Sequence, residues 1–208
     1  MRLAVLFAAS AACVLGSQLQ IGGGAGYGMY RRASIYAADA KATAGIRSRF
    51  ALTSFLRENR YDRLGGEFRY TYQDGDPFIE SGGIRANIQG QSHAFTYNAL
   101  FYGTRRDSRV RPYVLAGAGG KQYVVTGPEI ANQPLAEIGK LTSTSEWKPV
   151  VAAGLGAEMR LSRNVTLDAC IIDYVTPFPK RIIVAPPGAT PRGLFQQITP
   201  LVSLSYGF

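Results

Sequence analysis

Charged residues that alternate with neutral ones are the side chains of this sequence most able to form ion pairs or to bind ions. Three pairs stand two positions apart, and one more carboxylate follows; the set is Arg47, Arg49, Glu67, Arg69, Glu158, Arg160 and Asp168. Side chains two positions apart in a β-strand lie on the same face. Because buried ions must be paired, the pattern predicts a network of ion pairs that fills an interior. A gated path for ions is the alternative interpretation.

His93, the single histidine, is the one candidate for a general base. A lipid-modifying enzyme would need a base, a nucleophile and an acid on one face. Ser92 is adjacent and would point to the opposite face, and Glu80 would have to reach the site from a loop. The sequence contains neither a metal-ligand spacing nor a phosphate-binding glycine loop. We therefore predict no catalytic, cofactor-binding or metal-binding residues and no cofactor.

Residues 1–17 have the pattern of a secretory signal. Arg2 precedes a short apolar run, and the small residues Gly16 and Ser17 suit a cleavage site. Lipid attachment at Cys13 is an alternative use of this segment. After cleavage Cys170 would be the remaining cysteine, so an intrachain disulfide is excluded, and we expect it to be a small buried filler. The predicted domains are a signal peptide at 1–17 and one barrel at 18–208.

The remainder of the chain contains eight segments in which apolar and polar or small residues alternate. They lie near 18–30, 44–56, 63–73, 91–103, 111–124, 148–161, 165–176 and 197–208. Short connections fall near 57–62, 104–110 and 162–164, and long ones near 31–43, 74–90, 125–147 and 177–196. Each segment reaches the roughly 9–11 residues that a tilted strand needs to cross a bilayer. The sequence predicts an all-β fold, an eight-stranded antiparallel transmembrane β-barrel with both termini at its short-turn, periplasmic end.

The composition of the two faces indicates which face points inward. In the sixth segment Leu155 and Met159 share one face, whereas Gly154, Gly156 and Glu158 share the other. Small residues suit the narrow interior of an eight-stranded barrel. The five lysines are expected in loops or near segment ends; they are Lys41, Lys121, Lys140, Lys148 and Lys180. A soluble exported barrel with its apolar face inward is the alternative.

The net charge of +9 raises the question of an acidic partner. Nucleic acid is not expected, because an exported protein does not meet it. Anionic lipid head groups or surface polysaccharides are better candidates. Several cations fall in the first and fourth long loops, where they would meet such groups: Arg31, Arg32, Lys41, Lys180, Arg181 and Arg192.

The last strand ends on an aromatic residue. Leu204, Tyr206 and Phe208 alternate with small residues, and this pattern resembles the signal that the barrel-assembly machinery reads in outer-membrane proteins. Three further motifs carry the resemblance: Arg111-Pro112-Tyr113-Val114-Leu115-Ala116-Gly117-Ala118-Gly119, the Gly154/Gly156 strand, and Asp173-Tyr174. Over residues 18–208 the chain resembles the small, eight-stranded OmpA-like barrels of the outer membrane.

The resemblance implies a location in the bacterial outer membrane. Its implied partners are outer-membrane lipid or lipopolysaccharide and the barrel-assembly machinery. Because no peptidoglycan-binding domain follows Phe208, the tethering role of OmpA itself is not carried over.

We expect a non-enzymatic structural or surface-interaction role, similar to that of an adhesin, through the long extracellular loops. The sequence does not identify the extracellular ligand. A small solute or ion channel is the first alternative, and an outer-membrane lipid-modifying enzyme is the second.

Overall fold

The computed structural model describes residues 19–36, 41–59, 61–129, 131–185, 190–192 and 194–208. The predicted signal peptide, with Cys13, lies outside these ranges. No helix among the described residues has the length and apolar character needed to cross a membrane.

Fifteen strands make up the regular structure of the described ranges. In chain order they are β1 (Leu19–Tyr30), β2 (Ala33–Tyr36), β3 (Lys41–Ile46), β4 (Arg49–Glu58), β5 (Leu64–Asp74), β6 (Pro77–Ser81), β7 (Ile84–Asn87), β8 (Gly90–Tyr102), β9 (Val110–Val125), β10 (Lys140–Leu141), β11 (Ser145–Arg160), β12 (Val165–Pro177), β13 (Ile183–Val184), β14 (Thr190–Arg192) and β15 (Leu194–Gly207).

Eight of these strands close into a barrel in the order β1-β15-β12-β11-β9-β8-β5-β4, and β4 pairs with β1. All pairs are antiparallel, and each strand overlaps one of the eight predicted segments. The predicted fold class is therefore confirmed. Because the barrel is closed, the backbone N–H and C=O groups of every barrel strand pair with a neighbouring strand on each side. A strand that crosses the hydrocarbon layer of a membrane requires this, since no water is there to bind these groups.

The outward face of the barrel is apolar. Large apolar side chains on every barrel strand are exposed there, among them Ile21, Leu52, Phe68, Tyr97, Val114, Leu155, Ile171 and Val202. The inward face carries small, polar and charged residues, of which Glu67, Arg69 and Asp168 are fully buried. It also holds a buried apolar cluster, which includes Leu100, Leu115, Ile172 and Leu201. An apolar outward face around inward charges is the arrangement of a membrane barrel, and it is the reverse of a soluble barrel with an apolar interior.

The seam between β1 and β15 is interrupted once. Pairing runs from Gln20 to Gly26 and resumes at Met29. Pro200 lies at this break and has no N–H to give to a ladder. Gly26 lets the backbones approach there, because a Cβ at this position would lie 1.9 Å from the Pro200 carbonyl oxygen.

The long loops fold into two small sheets above the barrel, which we call the cap. One sheet has the order β14-β2-β3-β6-β7, and the other pairs β10 with β13. Glycines 82 and 83, both with positive φ, form the tight turn that joins β6 to β7. The cap has its own apolar core, which includes Ile35, Ala44, Ile79, Leu141, Phe178 and Ile183.

The cap core is continuous with the upper barrel. The rings of Tyr30 and Phe195, both at the ends of barrel strands, have centroids 5.3 Å apart and belong to the same apolar cluster. Because this packing crosses from strands to loops, the barrel holds the cap in place. Long loops mark the extracellular end of membrane barrels, so the surface at this end is preformed.

Candidate functional site

Arg57, near the end of β4, is the centre of the barrel's charged interior. Its side chain is fully buried. Nε donates to Oε2 of Glu67 at 2.9 Å, and Nη1 donates to Oδ2 of Asp168 at 2.9 Å. Nη1 also donates to Glu158. One guanidinium thus joins carboxylates from three strands, β5, β11 and β12.

A second guanidinium shares the central carboxylate. Arg69 donates from Nε to Oε1 of Glu67 at 2.7 Å and from Nη1 to the Thr53 hydroxyl at 3.2 Å. The amide of Asn98 donates to the same Glu67 oxygen at 3.1 Å. Glu67 therefore accepts bonds from two arginines and an amide, which satisfies a carboxylate that no water reaches.

Two tyrosines and a third arginine complete the arrangement. Tyr102 donates to Oε1 of Glu158 at 2.7 Å, and Tyr113 donates to Oδ2 of Asp168 at 2.9 Å. Arg111 lies 3.6 Å from Oε2 of Glu158. We call Arg57, Arg69, Arg111, Glu67, Glu158 and Asp168 the inner ion cluster. Its three cations balance its three anions, so it fills the interior without net charge.

The structure brings together four of the seven residues of the predicted network: Glu67, Arg69, Glu158 and Asp168. The others lie elsewhere. Arg47 is exposed and precedes β4. Arg49 binds Asp74 at 2.8 Å and Asp76 at 2.7 Å at the extracellular end of the barrel. Arg160 is exposed at the opposite end and donates to the Arg106 carbonyl oxygen at 2.6 Å. Alternation predicts the face of a side chain but not its height along the barrel.

Sequence reasoning missed Arg57 and Arg111 as members of the cluster. Residue 57 was assigned to a turn because the second segment was ended at 56, whereas β4 continues to Glu58. Arg57 has the same parity as Ala51 and Thr53, so extending the alternation would have found it. Arg111 belongs to the Arg111–Gly119 motif, which indicated the type of barrel but was not examined for inward charges.

Lys121, expected like the other lysines in a loop or near a segment end, lies four residues from the end of β9 but has its side chain in the lumen, which the sequence did not indicate. The residue is 1% exposed. Nζ donates to the Tyr30 hydroxyl at 2.9 Å and to Oε1 of Gln197. Its ammonium also faces the rings of Tyr123 and Tyr174. Among the described residues no carboxylate lies within 4.0 Å of Lys121.

The acids at the extracellular end are mostly paired. Arg85 donates to Glu80, and this hydrogen bond lowers the pKa of that carboxyl. Lys140 lies 2.8 Å from Glu129, and its hydrogen bond lowers the pKa of Glu129, with a smaller contribution from the Ser143 N–H. Asp74, Asp76 and Glu146 are also held by cations; Glu137 is exposed, without a cation within 4.0 Å among the described residues.

The cations at this end are mostly free of carboxylates. Arg32 lies over the ring of Phe78 and Lys41 over the ring of Tyr36. Within the described ranges six exposed cations have no acid within 4.0 Å: Arg31, Arg32, Lys41, Arg47, Lys180 and Arg181. The cap therefore presents a surface with excess positive charge. We call these six residues the cap cations. The side chain of Arg192 lies outside the description.

His93 lies on the outward face of β8. Its Nδ1 is 2.9 Å from the Tyr70 hydroxyl, and its ring stacks with that of Tyr70. Ser92 points inward, where its hydroxyl is 3.0 Å from that of Tyr30. Glu80 is bound to Arg85 in the cap. The three groups of a hydrolytic site are therefore apart, and the described residues contain no group of three potential metal ligands.

Two further predicted features have clear places. Cys170 is buried on the inward face of β12. Leu204, Tyr206 and Phe208 are all exposed on the outward face at the end of β15. Their recognition by the assembly machinery stays a prediction.

Solved structures resemble this fold, although neither a protein-family model nor a curated protein matches the sequence. The outer membrane protein OprG of Pseudomonas aeruginosa aligns at 16% identity and a TM-score of 0.55, over 92% of this chain and 96% of that one. Neisserial surface protein A aligns at 11% identity and a TM-score of 0.53, over 91% of this chain and 97% of that one.

A third structure, the outer membrane protein AlkL in lipid bilayers, aligns at 11% identity and a TM-score of 0.52, over 92% of this chain and 91% of that one. At these identities the likeness concerns the fold. Together with the closed barrel and its apolar outward face, it gives the chain the fold of the small, OmpA-like eight-stranded barrels of the bacterial outer membrane. The predicted fold type and location are confirmed.

Proposed function

We propose that this protein is a non-enzymatic surface-interaction protein whose cap binds acidic polysaccharide, including the phosphate-bearing saccharide of lipopolysaccharide. The observation that carries the proposal is the excess of cations over acids on a preformed extracellular surface. Exposed arginine and lysine side chains attract polyanions through summed charge. Arginine adds bidentate hydrogen bonds to carboxylates and phosphates.

The folded state of the cap supports this role. Binding to a preformed surface does not cost the conformational entropy that ordering a flexible loop would cost. The cap core keeps β2, β3 and β6 in register, so Arg32 and Lys41 hold fixed positions beside Phe78 and Tyr36. Tyr36 is exposed beside Lys41 and suits a sugar, whose apolar face packs on the aromatic ring while its acidic group meets the charge. Phe78, in contrast, is buried under Arg32 and Arg85.

The packed interior argues against the alternative of a channel. The inner ion cluster lies across the barrel, and Arg57 bonds acids from three different strands. Eight strands leave an interior just wide enough for side chains. A conducting path would have to break these bonds and leave buried charges unpaired, at a cost of several kcal/mol.

The test uses the purified barrel in vesicles and immobilised acidic polysaccharide, with neutral dextran as the reference surface. The parent should bind the acidic polymer and not the dextran. Changing Arg47, Lys180 and Arg181 together to Gln should weaken binding about tenfold or more, because three cations are lost. Binding should also fall with salt.

A matched control makes the same charge change at the other end of the barrel. The triple variant Arg105→Gln, Arg109→Gln and Arg163→Gln alters three exposed arginines on the short turns. It should bind the polysaccharide as the parent does. Equal loss in both triple variants would overturn the proposal, because net charge alone would then explain binding.

A further inference from the structure

A basin opens at the periplasmic end of the barrel, on the side away from the cap. Its volume is about 360 Å³, within the usual range for small-molecule sites. The short turns form its walls, and Arg111 and Glu158 of the inner ion cluster form its floor. Five arginines line it: Arg106, Arg109, Arg111, Arg160 and Arg163.

The basin carries more positive charge than its own acid neutralises. Glu158 is the one carboxylate side chain among its lining residues, and Arg57 and Arg111 already engage it. Within the described ranges no acid lies within 4.0 Å of the Arg109 or Arg163 guanidinium. Asp62 and Asp107 line a neighbouring depression with Arg105 and Arg106. The arrangement is thus open to an anion.

Asn59 gives an independent indication of a ligand. This residue lines the basin, and its side chain is only 3% exposed. Neither Nδ2 nor Oδ1 has a hydrogen-bond partner among the described residues. A buried amide without partners costs free energy, so its presence beside five arginines needs an explanation. Nδ2 suits an anionic oxygen, whereas Oδ1 requires a donor such as a hydroxyl.

We propose that this basin binds a glycerol phosphate group, or a closely similar polyol phosphate. The guanidinium fork matches the oxygens of a phosphate and can bind it through two bonds. A phosphate monoester carries about two negative charges, which suits several converging arginines better than a single carboxylate does. The hydroxyls of the glycerol part would donate to Oδ1 of Asn59.

Two sources supply this chemistry at the periplasmic end. One is a phospholipid head group of the inner leaflet, and the other is a soluble phosphate ester in the periplasm. Both present a glycerol phosphate to the basin, but the lipid carries it as a phosphodiester with about one negative charge and the soluble ester as a monoester with about two, so the test compares the two forms directly.

The experiment is calorimetric titration of the purified barrel in non-ionic detergent with glycerol 1-phosphate. Saturable binding is expected, and glycerol without the phosphate should not bind. The double variant Arg109→Gln, Arg163→Gln should weaken binding about tenfold or more, because two charge-assisted contacts are lost. Arg105→Gln is the matched control on the same turn, and it should bind as the parent does.

Asn59→Ala tests the polyol part. It should weaken glycerol 1-phosphate binding about fivefold or more and inorganic phosphate binding by less, because inorganic phosphate loses the bond from Nδ2 but has no glycerol hydroxyl that donates to Oδ1. A mobility shift on boiling verifies that every variant is folded. The absence of saturable binding, or an equal loss in Arg105→Gln, would overturn the proposal.

Titration with a short-chain phosphatidylglycerol distinguishes the sources. Tighter binding than that of glycerol 1-phosphate would assign the site to an inner-leaflet lipid. Equal or weaker binding would assign it to a soluble ester. Either result keeps the basin as a glycerol phosphate site, provided that the arginine variants lose it.

Discussion

In the periplasmic half of the barrel interior, the guanidinium of Arg57 is bound by three carboxylates. In the extracellular half, the ammonium of Lys121 is bound by a hydroxyl and an amide oxygen and faces three tyrosine rings. Both basic side chains are buried, but one belongs to a balanced set of ions and the other has neutral partners. The same lumen therefore accommodates buried basic groups in two ways.

The difference has an energetic consequence. Each member of the inner ion cluster is needed by the others, because removing one leaves a buried charge without its counterion. No buried charge depends on Lys121. Without it, Tyr30 and Gln197 each lose one hydrogen bond. We therefore expect substitutions in the two halves to differ in cost, although the substituted side chains are equally buried.

Arg57→Met should have the largest effect. It removes the cation shared by Glu67, Glu158 and Asp168 and leaves net negative charge in the interior. The free energy of unfolding should fall by about 3–5 kcal/mol, measured by urea unfolding in lipid vesicles. Adding Glu158→Gln, which removes one unpaired charge, should restore part of it. A loss below about 1 kcal/mol would show that the cluster contributes no more than a surface ion pair.

Arg69→Ala should come next. Its main partner is Glu67, which Arg57 also holds, so the loss should be about 3 kcal/mol, at the low end of the range for a broken buried pair. Because the interior stays filled by Arg57 and the tyrosines, we expect no new conductance in planar bilayers. A large, discrete conductance would contradict the view of the cluster as a plug.

Lys121→Met sharpens the comparison. Methionine has a similar length and needs no counterion, so the free energy of unfolding should change by no more than about 1 kcal/mol in either direction. The same urea series as for Arg57→Met makes the two directly comparable. If Lys121→Met costs as much as Arg57→Met, the two halves do not differ in the way that we infer.

Arg49→Gln should have the smallest effect. Arg49 also binds two acids, Asp74 and Asp76, but it is 38% exposed at the extracellular end. Water and salt screen this interaction, so the expected loss is about 0.5 kcal/mol. Arg49 has two carboxylate partners where Arg57 has three, so the main difference between the two sites is burial. A loss close to that of Arg57→Met would imply that the number of partners, and not burial, sets the cost.

Much of the fold could be predicted from alternation. Leu155 and Glu158 lie on the faces that their parity indicates, and the same rule located eight strands. Alternation follows from the geometry of a single strand, so it needs no knowledge of neighbours. Strand ends were less certain, and the error of two residues at β4 hid Arg57.

The candidate sites were only partly predictable, because they depend on pairing between strands. Glu67 and Asp168 are 101 residues apart in sequence and share Arg57. Lys121 has an inward parity, but its burial follows from the height at which β9 pairs with β8 and β11. The sheets of the cap join loops from distant parts of the chain, so no local pattern predicts them.

The sequence alone determined the eight strands, the apolar outward face and the presence of inward charges of both signs, since each follows from residues close together in the chain. The tertiary structure decided which charges meet, that the loops form a folded cap, and that five arginines surround Asn59 at the periplasmic end. Those features depend on register and closure, which fix distances between strands far apart in sequence.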